Sequence, residues 1–416
     1  AASANEAIEK VAERRWPLVF CDVRLGDGSG YDVLREFNLQ QPNTRFVVMT
    51  GHGTAAGALD ATATGAYDYL LKPFKIDDIL TIARVTREQS ARRSPVAAES
   101  DGEAYLSDLP LIGGSPEFVE CMKLVGRVAA TDLPLLICGE SGTGKEVVAR
   151  AVHLRSDRQM GPFVTVNCGA IPSELIETEL FGHAKGSFTG ADRERVGLWE
   201  MATTGTLFLD EITETSPLFQ VKLLRALQEG EIRRVGSNRT IRVDVRVIAA
   251  TNRDIDVEVS EGRFRQDLLF RLNAVMIELP PLRKRGSDIR LLAEHFAREF
   301  GGEARQFSAA AIATLDRYDW PGNIRELENA VQHAISLSDG AIYPEHLPAR
   351  LREEPTTPQR RSDDQAAGDW PTLDLVELDY VKRVLAHTGG NKVAAARILN
   401  IDRKTLSRIL ERGKNS

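Results

Sequence analysis

A glycine-rich stretch at residues 139–146, GESGTGKE, has the residue types and spacing of a loop that holds a polyphosphate. Its three glycines let the backbone close round phosphate groups with the amides pointing inward, and Lys145 can reach the outer phosphates. We expect a strand before the loop and a helix after it, whose N-terminus adds partial positive charge. A glycine-rich turn without a ligand is the alternative, but it does not explain the lysine or the partner motifs. The predicted nucleotide-binding residues are Gly139, Glu140, Ser141, Gly142, Thr143, Gly144, Lys145 and Glu146.

One position of this loop differs from the usual phosphate-loop pattern, in which Ser or Thr follows the lysine and helps to hold magnesium. The residue here is Glu146, so a magnesium ion must depend on other carboxylates. Asp210 and Glu211 end the apolar run GTLFLDE and can divide two tasks between them. We expect Asp210 to hold Mg²⁺, directly or through water, and Glu211 to orient and deprotonate the attacking water.

Phosphoryl transfer also requires donors to the γ-phosphate and cations that neutralise its charge. Asn252 follows an apolar, strand-like run and suits the first role. Arg265 and Arg271, in FRQDLLFRLN, lie in a helical pattern and suit the second role at a subunit edge. An isolated surface arginine is more often a salt-bridge partner, but the position of these two relative to the other motifs favours catalysis.

The first 88 residues alternate strand-like and helix-like runs. Apolar runs at 18–22, 46–51 and 67–74 contain or end at Asp22, Thr50 and Lys72, and Pro follows the lysine. Because the carboxyl ends of parallel strands meet at one edge of a sheet, these three side chains should converge. These residues outline a phosphorylation site. The carboxylate would accept a phosphoryl group, the lysine would neutralise it, and the hydroxyl would report its presence.

The C-terminal segment contains three helical patterns, at 375–386, 392–399 and 403–411, and the short break before the third fits a helix-turn-helix. Asn391 and Asp402 are candidate N-caps. From residue 391 onward seven basic residues face two acids, a local excess of five positive charges. We expect a core of Ala394, Ala395, Ile398, Leu399, Leu406 and Ile409. The residues expected to face a DNA major groove are Arg403, Lys404, Thr405 and Arg408. A solvated helical hairpin for dimerisation is the alternative.

The chain of 416 residues is long enough for about three domains. Its net charge of −7 means that nucleic-acid binding has to be local. No apolar run is long enough to span a bilayer, so we expect no membrane partner and a cytoplasmic location. The four cysteines have no paired metal spacing and are predicted to be reduced and mostly buried.

The central motifs together resemble the AAA+ ATPase domain of bacterial enhancer-binding proteins, the activators of sigma-54 RNA polymerase. The phrases ELFGHAKGSFTGA, GTLFLDEI, FRQDLLFRLN and GESGTGKE carry this resemblance. That family has a G-A-F-T-G-A loop that touches the sigma factor, and this chain differs from it only at Ser187. The resemblance implies a sigma-54 contact made by Gly186, Ser187, Phe188, Thr189, Gly190 and Ala191.

The same resemblance implies further roles. Asn167 would hold Glu211 in check, and Arg265 and Arg271 would be arginine fingers. The lid arginine that senses nucleotide would be Arg325 in WPGNIREL. The residues implied as adenine contacts are Ile112 and Gly113.

The two ends of the chain resemble known domains as well. Residues 1–88 are similar to the receiver domain of two-component response regulators, with Asp22 as phospho-acceptor, Thr50 and Lys72 as the switch pair and Tyr69 as the switch aromatic. Receivers carry an acidic pair for magnesium on an earlier strand, and only 21 residues precede Asp22. We therefore expect a flavodoxin-like α/β receiver without its first strand and helix, in which Asp22 is the remaining magnesium candidate. The C-terminal segment resembles a Fis-type DNA-binding domain, and the order of domains matches the NtrC type.

The expected organisation is a receiver, an α/β AAA+ ATPase with a helical lid from about residue 281, and an all-α helix-turn-helix, joined by two linkers. The expected bounds are 1–88, 89–109, 110–349, 350–370 and 371–416.

The predicted function is a sigma-54-dependent activator that takes ATP and Mg²⁺. Its expected partners are sigma-54 RNA polymerase holoenzyme, upstream double-stranded DNA, a sensor histidine kinase and copies of itself, from a dimer to a hexamer. The alternatives are a regulator that acts by occupying DNA, with ATP as an assembly ligand, and an AAA+ motor with another client.

Overall fold

The computed structural model describes residues 1–51, 53–89, 111–187, 193–302, 305–352 and 391–412, together with 377, 380–382, 384–385 and 388–389. The chain divides into two compact units, Ala1–Glu353 and Glu354–Ser416. The predicted linkers and residues 188–191 of the GSFTGA segment lie almost wholly outside the described ranges. Across those ranges, no helix combines the length and the apolar character needed to cross a membrane.

The N-terminal part of the first unit is a three-layered α/β fold. Its parallel sheet has the order β1-β4-β5, so β1 lies at one edge. Each predicted strand is present; the central strand β4 is almost wholly buried, whereas the edge strand β1 is mostly half-buried. The elements are α1 (Ala4–Glu13), β1 (Leu18–Asp22), β2 (Arg24–Leu25), β3 (Gly28–Ser29), α2 (Gly30–Gln40), β4 (Arg45–Thr50), α3 (Ala55–Ala63), β5 (Asp68–Leu71) and α4 (Ile76–Gln89).

The second part of this unit contains a five-stranded parallel sheet of order β14-β6-β13-β10-β7. The strand–loop–helix prediction for the phosphate loop is confirmed by β6 and α6. Four of the five strands were predicted, and β14 was not. The elements are α5 (Pro116–Ala129), β6 (Leu135–Cys138), α6 (Lys145–Leu154), β7 (Phe163–Asn167), α7 (Ile176–Phe181), β8 (Gly182–His183), β9 (Arg195–Val196), α8 (Leu198–Met201), β10 (Thr206–Asp210), α9 (Pro217–Glu229), β11 (Glu231–Arg233), β12 (Thr240–Arg242), β13 (Arg246–Thr251), α10 (Ile255–Ser260), α11 (Gln266–Leu272) and β14 (Val275–Glu278).

A helical lid follows β14, as predicted from the change to helical periodicity. It has its own core, which includes the fully buried Trp320. Its α-helices are α12 (Gly286–Gly301), α13 (Ala309–Arg317), α14 (Asn323–Leu337) and α15 (Ala349–Arg352). Short 3₁₀ turns at Ile212–Glu214, Leu282–Lys284 and Pro344–His346 connect elements of this unit.

The receiver-like part packs directly on the ATPase-like part through α3 and α5. The two helices lie close together at Gly126, where an added Cβ would lie 2.0 Å from Thr62 Oγ1 and 2.6 Å from the Leu59 carbonyl oxygen. Two ion pairs flank this crossing. The Lys123 ammonium lies 3.1 Å from a carboxylate oxygen of Asp68, and Arg155 pairs with Asp60. The apolar core is continuous across the contact.

The second unit contains α16 (Lys392–Ile398) and α17 (Arg403–Arg412), with helical residues also described at 377, 380–382 and 384–385. The predicted cap is confirmed, since Asn391 Oδ1 accepts from the amides of Val393 and Ala394. The core prediction holds for Ala395, Leu406 and Ile409 but is wrong for Ile398, which is 57% exposed. Ala395, Ala396 and Leu399 define the inner face of α16, and Ile398 lies on a different side at 100° per residue.

Candidate nucleotide site and its surroundings

The phosphate loop follows β6 at the carboxyl edge of the sheet, and Lys145 begins α6. The loop bends sharply, because Gly139, Gly142 and Gly144 all have positive φ angles, of 157°, 76° and 96°. The Lys145 ammonium is buried inside the loop and donates to the carbonyl oxygens of Gly139 and Glu140, at 2.8 and 3.0 Å. Burial lowers the pKa of this ammonium, and the nearby carboxylates of Asp210 and Glu211 act in the opposite direction.

The two predicted catalytic acids lie at the end of β10, which is separated from β6 by the single strand β13. Asp210 Oδ1 accepts from the Glu211 amide at 3.0 Å, which fixes the first carboxylate at the strand end. Glu211 has a left-handed backbone with φ of 53°. A neighbouring pocket of about 200 Å³ is lined in part by Glu211, Glu214 and Gly169. A nucleotide with Mg²⁺ requires two successive carboxylates beside a buried lysine, and this edge of the sheet provides them. The described residues contain no group of three or more His, Cys, Asp or Glu side chains that could hold a metal ion.

Asn167, the residue implied to restrain Glu211, ends β7 directly beside Asp210 in the strand register. Its side-chain oxygen accepts from the Ala170 amide at 2.9 Å. The Glu211 carboxylate lies beside Gly169, where an added Cβ would be 2.3 Å from Glu211 Oε2 and 3.5 Å from Asn167 Oδ1. Asn252 follows β13 immediately and is exposed at the same edge of the sheet.

The lid meets the phosphate loop at the start of α14. Ile324 donates its amide to the Gly142 carbonyl at 2.9 Å, and Arg325 Nη1 lies 3.3 Å from Ser141 Oγ. Glu140 binds Arg283 through both carboxylate oxygens. The Arg283 guanidinium holds the pKa of the Glu140 carboxyl at about 2, well below its usual range. The loop therefore has polar links to the lid through its own residues.

The predicted adenine contact, Ile112 and Gly113, lies between the lid and the receiver-like part. Arg285 Nη2 donates to the Ile112 carbonyl at 3.0 Å and forms a fully buried ion pair with Asp288. The Asp288 carboxylate also accepts from the amides of the two residues after Gly113 and from Ser115 Oγ. On the other side, the Ala55 amide at the start of α3 donates to the Gly113 carbonyl at 2.9 Å. The segment is thus held from both sides.

The two predicted arginine fingers are on the surface near α11. Arg265 precedes the helix and pairs with Asp267, at 2.7 Å between Nη2 and Oδ2. Arg271 lies in the last turn and donates to the Leu227 carbonyl at 3.0 Å. Among the described residues, neither arginine has a hydrogen bond or ion pair to the phosphate loop.

The stem of the predicted sigma-54 loop is the β8–β9 hairpin. Its strand β8 is tied to the next hairpin, because Val235 donates to the Gly182 carbonyl and Ala184 donates to the Val235 carbonyl. Ser187, the position that differs from the family pattern, packs against Gly236, where an added Cβ would lie 2.4 Å from Ser187 Cβ. Gly186 and Ser187 are described, whereas Phe188, Thr189, Gly190 and Ala191 lie outside the described residues.

The predicted phosphorylation residues gather at the carboxyl edge of the receiver-like sheet. Lys72 donates to Asp22 Oδ2 across the edge, and its amide donates to the Thr50 carbonyl. The Lys72 ammonium holds the pKa of the Asp22 carboxyl below its usual value. Tyr69 is buried, and its hydroxyl lies close to Gly57 of α3, where an added Cβ would be 2.9 Å away. Tyr69 therefore lies against the helix that packs on the ATPase-like part.

In the second unit, Arg403, Lys404 and Arg408 are exposed on α17, and Thr405 is half-buried. The exposed Lys392 and Arg397 on α16 add to the positive charge of this small fold. An exposed basic helix after a short turn has the form of a recognition helix.

Sequence reasoning missed the contacts made by Arg283, Arg285, Asp288 and Gly169. Only one signal was available, the spacing of Arg285 and Asp288 at i and i+3 at the start of a helix, which favours an ion pair. The other contacts join residues distant in sequence.

Comparison with known proteins covers the whole chain. Family models match as "Response regulator receiver domain" at residues 1–84, "Sigma-54 interaction domain" at 111–278, "AAA+ ATPase lid domain" at 283–364 and "Bacterial regulatory protein, Fis family" at 372–412.

Two curated relatives illustrate the similarity. The transcriptional regulatory protein ZraR of Salmonella typhimurium is 46% identical over 417 residues, which cover 99% of this chain and 92% of that protein. The DNA-binding transcriptional regulator NtrC of Klebsiella pneumoniae is 37% identical over 438 residues, covering 98% and 92%. The crystal structure of NtrX from Brucella abortus in complex with ADP superimposes with a TM-score of 0.55 at 33% identity, covering 99% and 92% of the two chains.

A receiver, a phosphate-loop ATPase with a helical lid and a Fis-type helix-turn-helix define a class of ATP-dependent transcription regulator. The chain belongs to the family of sigma-54-dependent response regulators, which are transcriptional activators. Its sigma-54 interaction domain is an AAA+ ATPase domain, and its helix-turn-helix binds DNA. ATP-driven remodelling is typical of this family.

Proposed function

We propose that this chain couples ATP hydrolysis, in a homo-oligomeric ring of up to six subunits, to the conversion of closed sigma-54 RNA polymerase complexes into open complexes. The observation that carries the proposal is the buried Lys145 of the phosphate loop beside Asp210 and Glu211, in the same domain as the GSFTGA hairpin. ATP hydrolysis at the phosphate loop would move the GSFTGA loop.

In this mechanism Lys145 and the loop amides bind the outer phosphates, and Glu211 orients and deprotonates the attacking water. Asp210 would hold Mg²⁺, which neutralises phosphate charge when it is bound. Asn167 restrains Glu211, and Asn252 contacts the γ-phosphate. Arg265 and Arg271 would serve as fingers for a neighbouring subunit; in their own subunit they bind Asp267 and the Leu227 carbonyl. Arg325 senses the nucleotide from the lid, and Ile112 and Gly113 contact adenine.

The remaining partners follow from the other parts of the chain. Phe188 and Thr189 of the GSFTGA segment contact sigma-54. The helix α17 enters a major groove of upstream DNA, and a sensor histidine kinase phosphorylates Asp22 in the cytoplasm. Lys72, Thr50 and Tyr69 relay the phosphorylated state. The proposed domain bounds are those expected from the sequence, with linkers at 89–109 and 350–370.

Permanganate reactivity of melted bases on a sigma-54 promoter tests the proposal, with purified full chain, polymerase holoenzyme and either ATP or a non-hydrolysable analogue. We expect melting with ATP only. The Phe188→Ala protein should keep its ATPase activity and lose melting, whereas Met160→Ala, which truncates an 86% exposed side chain elsewhere in the domain, should behave as the wild type. Melting with the analogue, or by Phe188→Ala, would contradict remodelling.

A regulator that acts only by occupying DNA is distinguished by Glu211→Gln. Occupancy needs assembly but not hydrolysis, so this variant would still activate transcription under that alternative. Under the proposed function it binds ATP and upstream DNA without opening the promoter.

A further inference from the structure

We propose that Glu140, an acid within the phosphate loop, is a positioning residue that fastens the lid to the nucleotide pocket and so places Arg325. The inference rests on the ATPase function of the site. It assigns to Glu140 a different task from the nucleotide contact expected from its place in GESGTGKE.

A carboxylate in this loop is electrostatically unfavourable for a polyphosphate, since like charges repel at short distance. The structure shows how that charge is used. Arg283 Nη1 donates to Glu140 Oε2 at 2.8 Å, and the second guanidinium nitrogen donates to Oε1, which is a two-point ion pair. Such fork-shaped pairs are among the stronger and more directional polar contacts in proteins. The negative charge is therefore neutralised by the lid.

The same carboxylate also binds the first residue of α14. Asn323 Nδ2 donates to Glu140 Oε2 at 3.1 Å and to the Ser141 carbonyl at 3.0 Å. Its side-chain oxygen accepts from the Leu282 amide at 2.8 Å. Glu140 thus joins three segments: the phosphate loop, the turn at Leu282–Lys284 and the start of α14.

The conformation of Asn323 agrees with this linking role. Asn323 is fully buried and has φ of 52°, a left-handed conformation that asparagine adopts more readily than most residues. Directly after it, Ile324 donates to the Gly142 carbonyl. The chain before it approaches the loop so closely that a Cβ on Gly142 would lie 2.4 Å from the Gly322 carbonyl oxygen.

Arg325 is two residues beyond Asn323, and its guanidinium lies 3.3 Å from Ser141 Oγ. Its position over the loop depends on how the first turn of α14 is held. Glu140 and Arg283 hold that turn from the pocket side. Without the carboxylate, Arg283 loses its partner and Asn323 keeps only its backbone contacts, so Arg325 would lie over the phosphates less of the time.

The first test compares nucleotide affinity and turnover in full-length variants: Glu140→Ala, Glu140→Gln, Arg283→Ala and the double variant Glu140→Ala/Arg283→Ala. We expect each alanine variant to raise the KM for ATP and the Kd for a fluorescent ADP analogue about tenfold, with kcat reduced less than about threefold. Glu140→Gln, which retains an acceptor for Asn323, should lie between wild type and alanine. The double variant should be no weaker than either single one, because both remove the same contact.

Arg290→Gln is the matched control, because Arg290 is an exposed lid arginine that pairs with Glu294 on its own helix. It should leave both constants unchanged. If the losses from Glu140→Ala and Arg283→Ala multiply in the double variant, Glu140 contacts the nucleotide directly and the proposal is overturned. Unchanged affinity in Glu140→Ala would overturn it too.

Hydrogen exchange of the full chain without nucleotide keeps this inference separate from the ATPase assignment. Glu140→Ala should speed exchange of the Ile324 amide about tenfold, and Glu140→Gln should do so less. Faster exchange in a protein that does not hydrolyse ATP would support the lid contact and contradict the ATPase function. Unchanged exchange together with normal ATPase activity would reject the lid contact alone.

Discussion

Gly169 lies beside the carboxylate expected to activate water. A larger residue fits there only if Glu211 moves, because an added Cβ would lie 2.3 Å from Glu211 Oε2. Glu211 itself has the left-handed backbone expected of a strained position at a functional site. A methyl group at position 169 must therefore displace the carboxylate from the pocket edge.

We predict that Gly169→Ala lowers kcat for ATP hydrolysis about tenfold or more while the Kd for nucleotide changes less than about twofold, since a small misplacement of a base has a large effect. Steady-state ATPase assays and ADP-analogue titration measure the two constants. Gly340→Ala is the control, because nothing lies within 4 Å of a Cβ built there. Normal turnover in Gly169→Ala would show that Glu211 does not need its observed position.

His153 links stability to pH. It is buried at the end of α6, with Nδ1 2.9 Å from Thr206 Oγ1. Burial lowers the pKa of this imidazole, and the charges of Arg150 and Arg246 act in the same direction. The unfolded chain therefore binds a proton at a higher pH than the folded one. The contribution of His153 is complete above about pH 7 and is lost as the pH falls below the unfolded pKa of about 6.5.

We predict that His153→Asn reduces the fall in thermal midpoint between pH 7.5 and pH 5.5, where the wild type loses up to about 1.4 kcal/mol per pH unit. Thermal unfolding of both proteins at the two pH values measures the difference. Gly340→Ala, which adds a methyl group where nothing lies within 4 Å and changes no titratable group, is the comparison and should keep the wild-type pH dependence. Equal pH dependence in the His153→Asn protein would contradict the assignment.

At the scale of elements, the crossing of α3 and α5 depends on one glycine. The crossing brings Gly126 so close to Thr62 and Leu59 that no side chain fits between the helices. The substitution Gly126→Ala removes no ion pair and no catalytic group. Its effect is therefore limited to the distance between the two helices.

We predict that Gly126→Ala destabilises the docked arrangement by about 1–3 kcal/mol, the usual cost of overpacking, and separates the receiver from the ATPase domain. Limited proteolysis should then cut the chain between the two domains faster than in the wild type or in Gly340→Ala. An unchanged cleavage rate would show that α5 can shift to accept the methyl group.

Elements were predictable where local pattern and burial agree. Apolar runs ending at Asp22, Asp210 and Thr251 identified strands, and parallel packing then required their polar ends to share an edge. The strand β14 was missed because Val275–Glu278 is short and directly follows helix-like residues. Contacts such as Glu140 with Asn323 could not be predicted, because they join residues 183 positions apart through tertiary packing.

At the scale of the whole molecule, the proposed phosphorylation site lies close in sequence to a contact with the segment expected to bind adenine. Thr50 ends β4, and the Ala55 amide at the start of α3 donates to the Gly113 carbonyl. Suppose that docking of the receiver on the ATPase domain orders the segment at Ile112 and Gly113. Docking must then raise the affinity for nucleotide, and bound nucleotide must favour docking by the same factor.

We therefore predict that Gly126→Ala raises the Kd for the ADP analogue about fivefold, the lower range of measured coupling between sites. Saturating ADP should in turn slow proteolysis between the domains in the wild type and have a smaller effect in the variant. If the domains separate and the Kd still equals that of the wild type, the contact between Ala55 and Gly113 does not couple docking to nucleotide binding.

The hydrogen bond from Ala55 to Gly113 also supplies a native reporter. One proton, on a backbone nitrogen of one domain, is shielded only while the other domain is in place, so its rate of replacement by deuterium measures how often the domains part. No dye, label or substitution is needed, and the unaltered chain can be followed through phosphorylation, nucleotide binding and assembly by a single mass-shifted peptide.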